Sequence, residues 1–286
     1  MELTDAREIV KQLKGVWHGK YGMVRCPAHD DRNPSLSIAQ GRTGPVFKCH
    51  AGCSFRDVMA ALRRHRIEVG RAASEPGAGG STSNYSLSVV ERIWHEARPL
   101  EGTLGQRYLI ARGLGVDHPM LRFQGRCTFG PVKNPRRVGP ALIVPMHEAD
   151  RLVGLQRIFL DPDDKAHYKR FKPVLCSHRG AAMRLAPARG RLALTEGAED
   201  ALAYTLMHGI PAWGLPGADW LANTRIPACV EELIVAFDRG RAGRAAFDRY
   251  AERLRAEGRK VRFHAPDAPS KDWSAANLRA IHETAA

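Results

Sequence analysis

Apolar positions along the chain fall into short blocks, and their spacing changes from one block to the next. The segment A-R-E-I-V-K-Q-L near the start repeats at helical spacing. So does S-F-R-D-V-M-A-A-L-R-R, where Phe55, Val58, Met59 and Leu62 share a face and Ser54 stands as a candidate N-cap. Residues 70–86 carry Gly, Ser and Ala with almost no apolar bulk, which predicts a flexible linker and a domain boundary. Beyond it, V-V-E-R-I-W-H-E-A and T-L-G-Q-R-Y-L-I-A-R-G-L predict two helices. A-L-I-V-P-M-H and L-V-G-L-Q-R-I-F-L-D then predict two strands joined by a turn at E-A-D-R.

The last third alternates strand and helix. R-L-A-L-T-E, P-A-W-G-L, E-L-I-V-A-F-D and K-V-R-F-H-A-P read as strands. A-E-D-A-L-A-Y-T-L-M-H and R-A-G-R-A-A-F-D-R-Y-A-E-R-L-R-A-E-G read as helices. The second carries a stripe of Phe247, Tyr250, Ala251 and Leu254, and Gly258 stops it. Strands separated by helices predict a parallel sheet with helices on its faces. The fold class expected is α/β, α+β overall. A small N-terminal module covers 1–69 and the linker 70–86. A core subdomain follows over 87–188, and the parallel-sheet domain over 189–286.

The length of 286 residues suits about two domains. A net charge of +14 changes the picture more, because it favours a polyanionic partner, most often nucleic acid. No apolar run approaches the roughly 18 residues of a membrane span, and the mixed-charge N-terminus is unlike a signal peptide. The expectation is a cytoplasmic protein without membrane partners, its thiols reduced. Cys127, Cys176 and Cys229 then read as buried thiols among apolar neighbours.

Three further cysteines lie in one short stretch. Cys26 and His29 are two residues apart, Cys49 and Cys53 three, and nineteen residues separate the pairs. That interval fits a β-hairpin whose base brings the pairs together. Thiolates and an imidazole at this spacing suit a closed, structural Zn²⁺ site. His50 is an alternative to Cys53, or an outer partner.

Two acids mark the other end of the chain. Glu196 follows one strand and Asp238 ends another, so both fall at carboxyl ends of parallel strands, where α/β sheets place their sites. Asp272 follows the last strand. Convergent carboxylates near basic residues suit Mg²⁺ or Mn²⁺, hard cations that also bind phosphates. From Lys165 to Arg191 there are eight Lys or Arg and no Asp or Glu, which predicts a phosphate-facing surface with Lys165, Lys169, Arg170, Lys172 and Arg184. No G-x-x-x-x-G-K-[ST] phosphate loop occurs.

C-P-A-H-D-D-R-N-P-S-L-S-I followed by F-K-C-H-A-G-C resembles the zinc-binding domain of bacterial, phage and plasmid DNA primases. That resemblance implies contact with single-stranded DNA through Arg25, Arg32, Phe47 and Lys48, by stacking and phosphate pairing. T-E-G at Glu196, F-D at Asp238 and K-D-W at Asp272 resemble the motifs of the Toprim domain shared by primases, topoisomerases and some nucleases. The segment from 87 to 188 resembles the domain that precedes Toprim in mobile-element primases. Together these imply a phage or mobile-element primase-like protein. It would make short primers on single-stranded DNA from NTPs, with Glu196, Asp238 and Asp272 catalytic and a replicative helicase acting in trans. Gly240 departs from the motif where a second aspartate belongs, and Ser274–Ala275 where Asn-Asp is common. Those departures point to the alternatives, a catalytically degenerate DNA-binding accessory or a Toprim nuclease.

Overall fold

A computed structural model of the protein describes residues 5–31, 33–41, 44–51, 53, 55–69, 87–115, 117–129, 137–161, 169–176, 178 and 180–285, with backbone alone at 137, 169–171 and 285. The expected linker, Ser54, Arg32 and Lys165 lie outside these residues. The chain divides into two units, Met1–Ser83 and Asn84–Ala286.

In the first unit, helix α1 (Ala6–Gln12) starts where the Asp5 carboxylate accepts from the Arg7 N–H at 2.9 Å. Strands β1 (Val16–Trp17), β2 (Tyr21–Val24), β3 (Leu36–Gln40) and β4 (Pro45–Cys49) form an antiparallel sheet in chain order. Helix α2 (Phe55–Arg64) closes the unit, burying Val58, Ala61 and Leu62. Side chains alternate across the sheet. Val24, Leu36, Ile38, Phe47 and Cys49 face a core shared with Ile9 and Val10 of α1. Gly22 permits that packing, because a Cβ there would lie 2.3 Å from Val10 Cγ2.

The second unit begins with α3 (Leu87–Glu96) and α4 (Leu104–Ala111), both expected. An antiparallel sheet follows: β5 (Arg122–Phe129), β6 (Arg137–Glu148), β7 (Arg151–Leu160) and β8 (Lys169–Phe171), with β9 (Val174–Cys176) also paired to β7. The expected hairpin is β6–β7, in register as Glu148↔Arg151 and turning at Ala149 with φ 50°. One face of this sheet, with Ala141, Ile143, Leu155 and Phe159, packs on Val90 and Ile93 of α3. The other, with Leu142, Val144, Ile158 and Leu160, shares a core with Tyr108 and Leu109 of α4.

A second sheet is built from β10 (Met183–Arg184), β11 (Gly190–Thr195), β12 (Ala212–Gly214), β13 (Val230–Val235) and β14 (Lys260–Phe263), in the order β10-β12-β11-β13-β14. The last four are parallel, as expected, and β10 adds an antiparallel edge. Leu192, Leu194, Leu233 and Val235 pack with Phe247 and Leu254 of α6 (Arg241–Ala256). The alternate positions Ala193, Ile234 and Ala236 pack with α5 (Ala198–His208). Helix α7 (Trp273–Ala285) packs on α5. Gly258, at φ 83°, follows the C-cap of α6, as its position suggests. The chain leaves β11 for β12 on one side and returns to β13 on the other, so the winding reverses between β11 and β13.

Candidate functional site

Two groups of chemically active side chains stand out, one in each unit. In the first, the ligand atoms of Cys26, His29, Cys49 and Cys53 all lie within 4.8 Å of one another. His29 Nδ1 is 3.1 Å from Cys53 Sγ and 4.0 Å from Cys49 Sγ. Cys49 ends β4 and Cys26 lies two residues beyond β2, brought together by the register Leu36↔Cys49 and Val24↔Leu36. Three sulfurs and one imidazole nitrogen this close fit a tetrahedral zinc ion. Their acidities reflect the crowding. The hydrogen bond to Cys49 and then burial push the Cys26 thiol far up, while the same bond favours the Cys49 thiolate.

Asp31 organises the group from outside. Its carboxylate accepts from Cys26 N at 2.6 Å and from Ser35 Oγ at 2.6 Å, and lies 3.7 Å from His29 Nε2. Burial weakens it as an acid, but the Cys26 N–H, the Ser35 hydroxyl and the His29 charge outweigh that and hold its pKa below the usual carboxylate range. With Nε2 toward Asp31, His29 presents Nδ1 to the sulfurs. His50 turns away, its Nε2 3.1 Å from Ser37 Oγ, and is outside the set.

The nucleic-acid residues expected here divide. Arg25 and Lys48 are exposed. Phe47 is a correction: it is 1% exposed, packed in the core opposite Ile38, and cannot stack on a base. Neighbours on a strand face opposite ways, so Lys48 outward requires Phe47 inward. An exposed aromatic residue lies on the β1–β2 hairpin instead, beside the half-buried Trp17. Tyr21 is 43% exposed, with its ring 5.7 Å from His18. Trp17 carries Arg7 5.1 Å above its ring. The sequence reading missed both aromatics, although an exposed hairpin with two aromatic rings flanked by Lys14 and Lys20 was a legible signal.

In the second unit, Glu196 follows β11 and Asp238 lies three residues beyond β13, not on its last residue as expected. Both stand at the reversal between β11 and β13. The Glu196 carboxylate accepts from the backbone N–H groups of Asp238 and Ala218. Asp272 caps α7, its Oδ1 accepting from Ala275 N at 2.7 Å, and the Trp273 indole donates to Ala236 O at 3.0 Å. Ser274 N donates to Asp200 Oδ1 at 2.9 Å, so α7 brings Asp272 to the same place as a fourth acid, Asp200. Gly243 lets α6 approach, since a Cβ there would lie 3.0 Å from Glu196 Oε1.

The acids feel one another. Asp238 is raised to about 7 by burial, Glu196 and Asp272, against the pull of Lys271 and Lys172. Asp200 is raised to about 7 by burial, Asp272, Asp238 and Glu199, with the Ser274 N–H opposing. Glu196 is raised to about 6, first by burial and then by Asp200 and Asp219, and its backbone hydrogen bonds moderate the rise. Asp238 Oδ1 is buried and has no hydrogen-bond partner. A buried unpaired carboxylate oxygen among like charges fits an oxygen-seeking divalent cation. Among the described residues, only the Cys/His group draws three or more ligand atoms to within 4.8 Å of one another, so the carboxylates form the more open set.

The cations expected around this site also divide. Lys172 is paired with buried Glu199, which also accepts from the Tyr108 hydroxyl. Arg184 stacks 4.3 Å over Trp213 on the antiparallel edge, where the acids within its electrostatic reach are Glu148 and Asp150. The side chains of Lys169 and Arg170 lie outside the description. Gly240 begins α6 in an extended conformation (φ 168°), and a Cβ there meets nothing within 4 Å.

Carboxylates at the reversal point of a parallel α/β sheet stand where such folds place their sites, and the family comparison supplies the class. Residues 191–280 match the Toprim domain and form one; residues 86–185 match a domain of unknown function, DUF7146. Among solved structures, the zinc-binding and RNA polymerase domains of the Aquifex aeolicus primase are 15% identical with a TM-score of 0.46, over 98% of this chain and 82% of that one. A DNA primase domain from Pseudomonas aeruginosa is 18% identical with a TM-score of 0.44, over 68% and 74%. A DnaG primase catalytic domain bound to single-stranded DNA is 21% identical with a TM-score of 0.47, over 70% and 75%. No curated protein matches the chain. Among the described residues, no helix is long and apolar enough to cross a membrane.

Proposed function

We propose that this protein is a primase-type nucleotidyltransferase that makes short primers on single-stranded DNA. One observation carries the reading: in a Toprim domain, Glu196 and Asp238 converge at the sheet's reversal point, and Asp238 Oδ1 is buried without a partner. The Cys/His module and the +14 charge support a nucleic-acid substrate.

In the proposed reaction a primer 3′-hydroxyl attacks the α-phosphate of an NTP, a P–O bond forms, and pyrophosphate leaves. Asp238 and Glu196, with Asp272 and Asp200 beside them, would hold Mg²⁺ or Mn²⁺. When bound, such an ion neutralises charge developing on the phosphate. Glu196, held near 6, suits a general base that accepts the hydroxyl proton. Lys271 is placed to meet the charge of incoming phosphates. Arg25 and Lys48 hold phosphates in the zinc module while Tyr21 stacks on bases. Unwinding falls to a helicase in trans.

One observation favours a second reading. Gly240 supplies no acid where space is open, which suits a DNA-binding accessory without turnover. Ribonucleotide incorporation on single-stranded DNA separates the readings, with plasmid nicking measured alongside. Primer product without nicking supports the primase. Nicking without nucleotides identifies a nuclease, and binding with neither activity identifies the accessory.

A further inference from the structure

Helix α4 has Arg112 as its C-cap, with Gly113 next, and both are fastened to α7. Arg112 Nη2 donates to Ser274 Oγ at 2.7 Å, and Asn277 Nδ2 donates to Gly113 O at 2.8 Å. Ser274 and Asn277 are buried and stand one turn apart on α7. Gly113 lies in the left-handed region at φ 64°, and a Cβ there would be 2.5 Å from Ile281 Cδ1, one further turn along the same face of α7. The end of α4 therefore grips three successive turns of one helix face. One turn earlier, the Tyr108 hydroxyl donates to Glu199 of α5, which also pairs with Lys172 and lies 3.9 Å from Arg112 Nη2.

The gripped end of α7 is the end that carries the acids. Asp272 caps the helix on Ala275 N at 2.7 Å. Trp273 donates its indole N–H to Ala236 O at 3.0 Å, two residues before Asp238. Ser274 donates its N–H to Asp200 Oδ1 at 2.9 Å while its hydroxyl takes Arg112. The first turn of α7 thus has ties to three places: the end of β13, α5 and α4. The first two lie within the Toprim domain, and the third comes from the domain of unknown function that precedes it. Buried hydrogen bonds joined in this way fix a geometry that apolar packing alone leaves loose.

We propose that the end of α4 is a positioning clasp for the carboxylate site. Arg112, acting through Ser274, holds the first turn of α7 where Asp272 and Asp200 stand with Glu196 and Asp238. The preceding domain then supplies part of the framework of the Toprim site. This role rests on the metal-dependent reading above and adds to it a residue from outside the Toprim domain.

Mn²⁺ titration of the zinc-loaded full chain, read by the spin-resonance signal of free Mn²⁺, tests the clasp without turnover. Each variant is measured well below its own melting point. Ser274→Ala removes the hydroxyl and keeps the N–H that holds Asp200. The expected result is binding that Glu196→Gln abolishes and that Ser274→Ala weakens about tenfold. Arg112→Met should weaken it at least as much, and the double variant no further than Arg112→Met alone. An affinity unmoved in Ser274→Ala, even with a lowered melting point, would overturn the proposal, because the tie would then be structural only. Losses that multiply in the double variant would also overturn it, since Arg112 would then act through Glu199. Ser274→Ala decides alone if Arg112→Met does not fold. Both outcomes leave the metal site standing, since Glu196→Gln still abolishes binding. If Mn²⁺ binding does not respond to Glu196→Gln, the metal reading falls, and the clasp with it.

Discussion

Gly214 is the position where one added methyl group should do most damage to the carboxylate site. It ends β12, and the backbone turn that follows Glu196 lies directly across it. A Cβ at Gly214 would sit 2.6 Å from Gly197 O, 2.7 Å from Gly197 C and 2.9 Å from Ala198 N. Ordinary carbon contacts lie at about 3.5 Å or more, so the turn must retreat by roughly 0.8 Å. All three obstacles are backbone, and the turn is tied down by the Thr195 hydroxyl, which donates to Gly197 O at 2.9 Å. Rotamer change gives no relief. Overpacking of this kind costs about 1–3 kcal/mol, and a backbone obstacle puts Gly214→Ala near the upper end, about 3 kcal/mol. In a unit of this size each kcal/mol moves Tm by about 2–4 °C, so the melting point should fall by about 6–12 °C. Because Gly197 directly follows Glu196, Mn²⁺ affinity should fall with it. Gly240→Ser is the control, an N-cap with open space and an extended backbone, expected within about 1 °C of the wild type. Calorimetry of both variants reads the difference. A Gly214→Ala protein that melts within about 2 °C of the wild type would refute the packing argument.

Further outcomes follow from the same geometry. Asp238 is raised from 3.8 to about 7, so the native state holds its proton where the unfolded chain has lost it, and stability falls as pH rises through that window. In metal-free protein, Asp238→Asn should therefore raise Tm at pH above about 7.5 and leave it unchanged near pH 4; an equal effect at both would contradict the burial argument. Asp31→Ala removes the group that orients His29, and zinc affinity by chelator competition should drop about 10- to 100-fold; an unchanged affinity would make Asp31 merely structural. Tyr21→Ala should weaken single-stranded DNA binding by about 1–3 kcal/mol in a fluorescence titration. Phe47→Ala should instead cost about 3–5 kcal/mol of stability through the cavity it leaves.

The parts of the fold legible in the sequence are those where one physical signal acts alone. L-A-L-T and E-L-I-V are apolar because both faces of the parallel sheet are covered, and Gly209 and Gly258 end the helices in left-handed conformations. β5 was not legible because its register shifts between Gln124 and Cys127, which breaks the alternation that marks a strand. β8, β9 and β10, of two or three residues each, are too short to show a period. Helix α7 escaped notice although Asp272 caps it, because K-D-W was read for its acid and not for its position. The Cys/His group was legible from spacing alone, since few spacings close four ligands. Phe47 was misplaced because residue type was read without strand parity. Asp200 was legible only as an acid that could stand in for the one missing at Gly240; its place beside Asp272 depends on Ser274, far away in sequence and brought close by α7.

The central claim is that Glu196 and Asp238 serve templated nucleotidyl transfer, and labelled-ribonucleotide incorporation on single-stranded DNA tests it most directly. The assay compares wild type with Glu196→Gln in Mg²⁺ and then Mn²⁺. The account predicts template-dependent product from the wild type and none from the variant, with equal DNA binding by both. Product from neither protein, with tight salt-sensitive DNA binding by both, would contradict it and leave a DNA-binding accessory built on a Toprim frame.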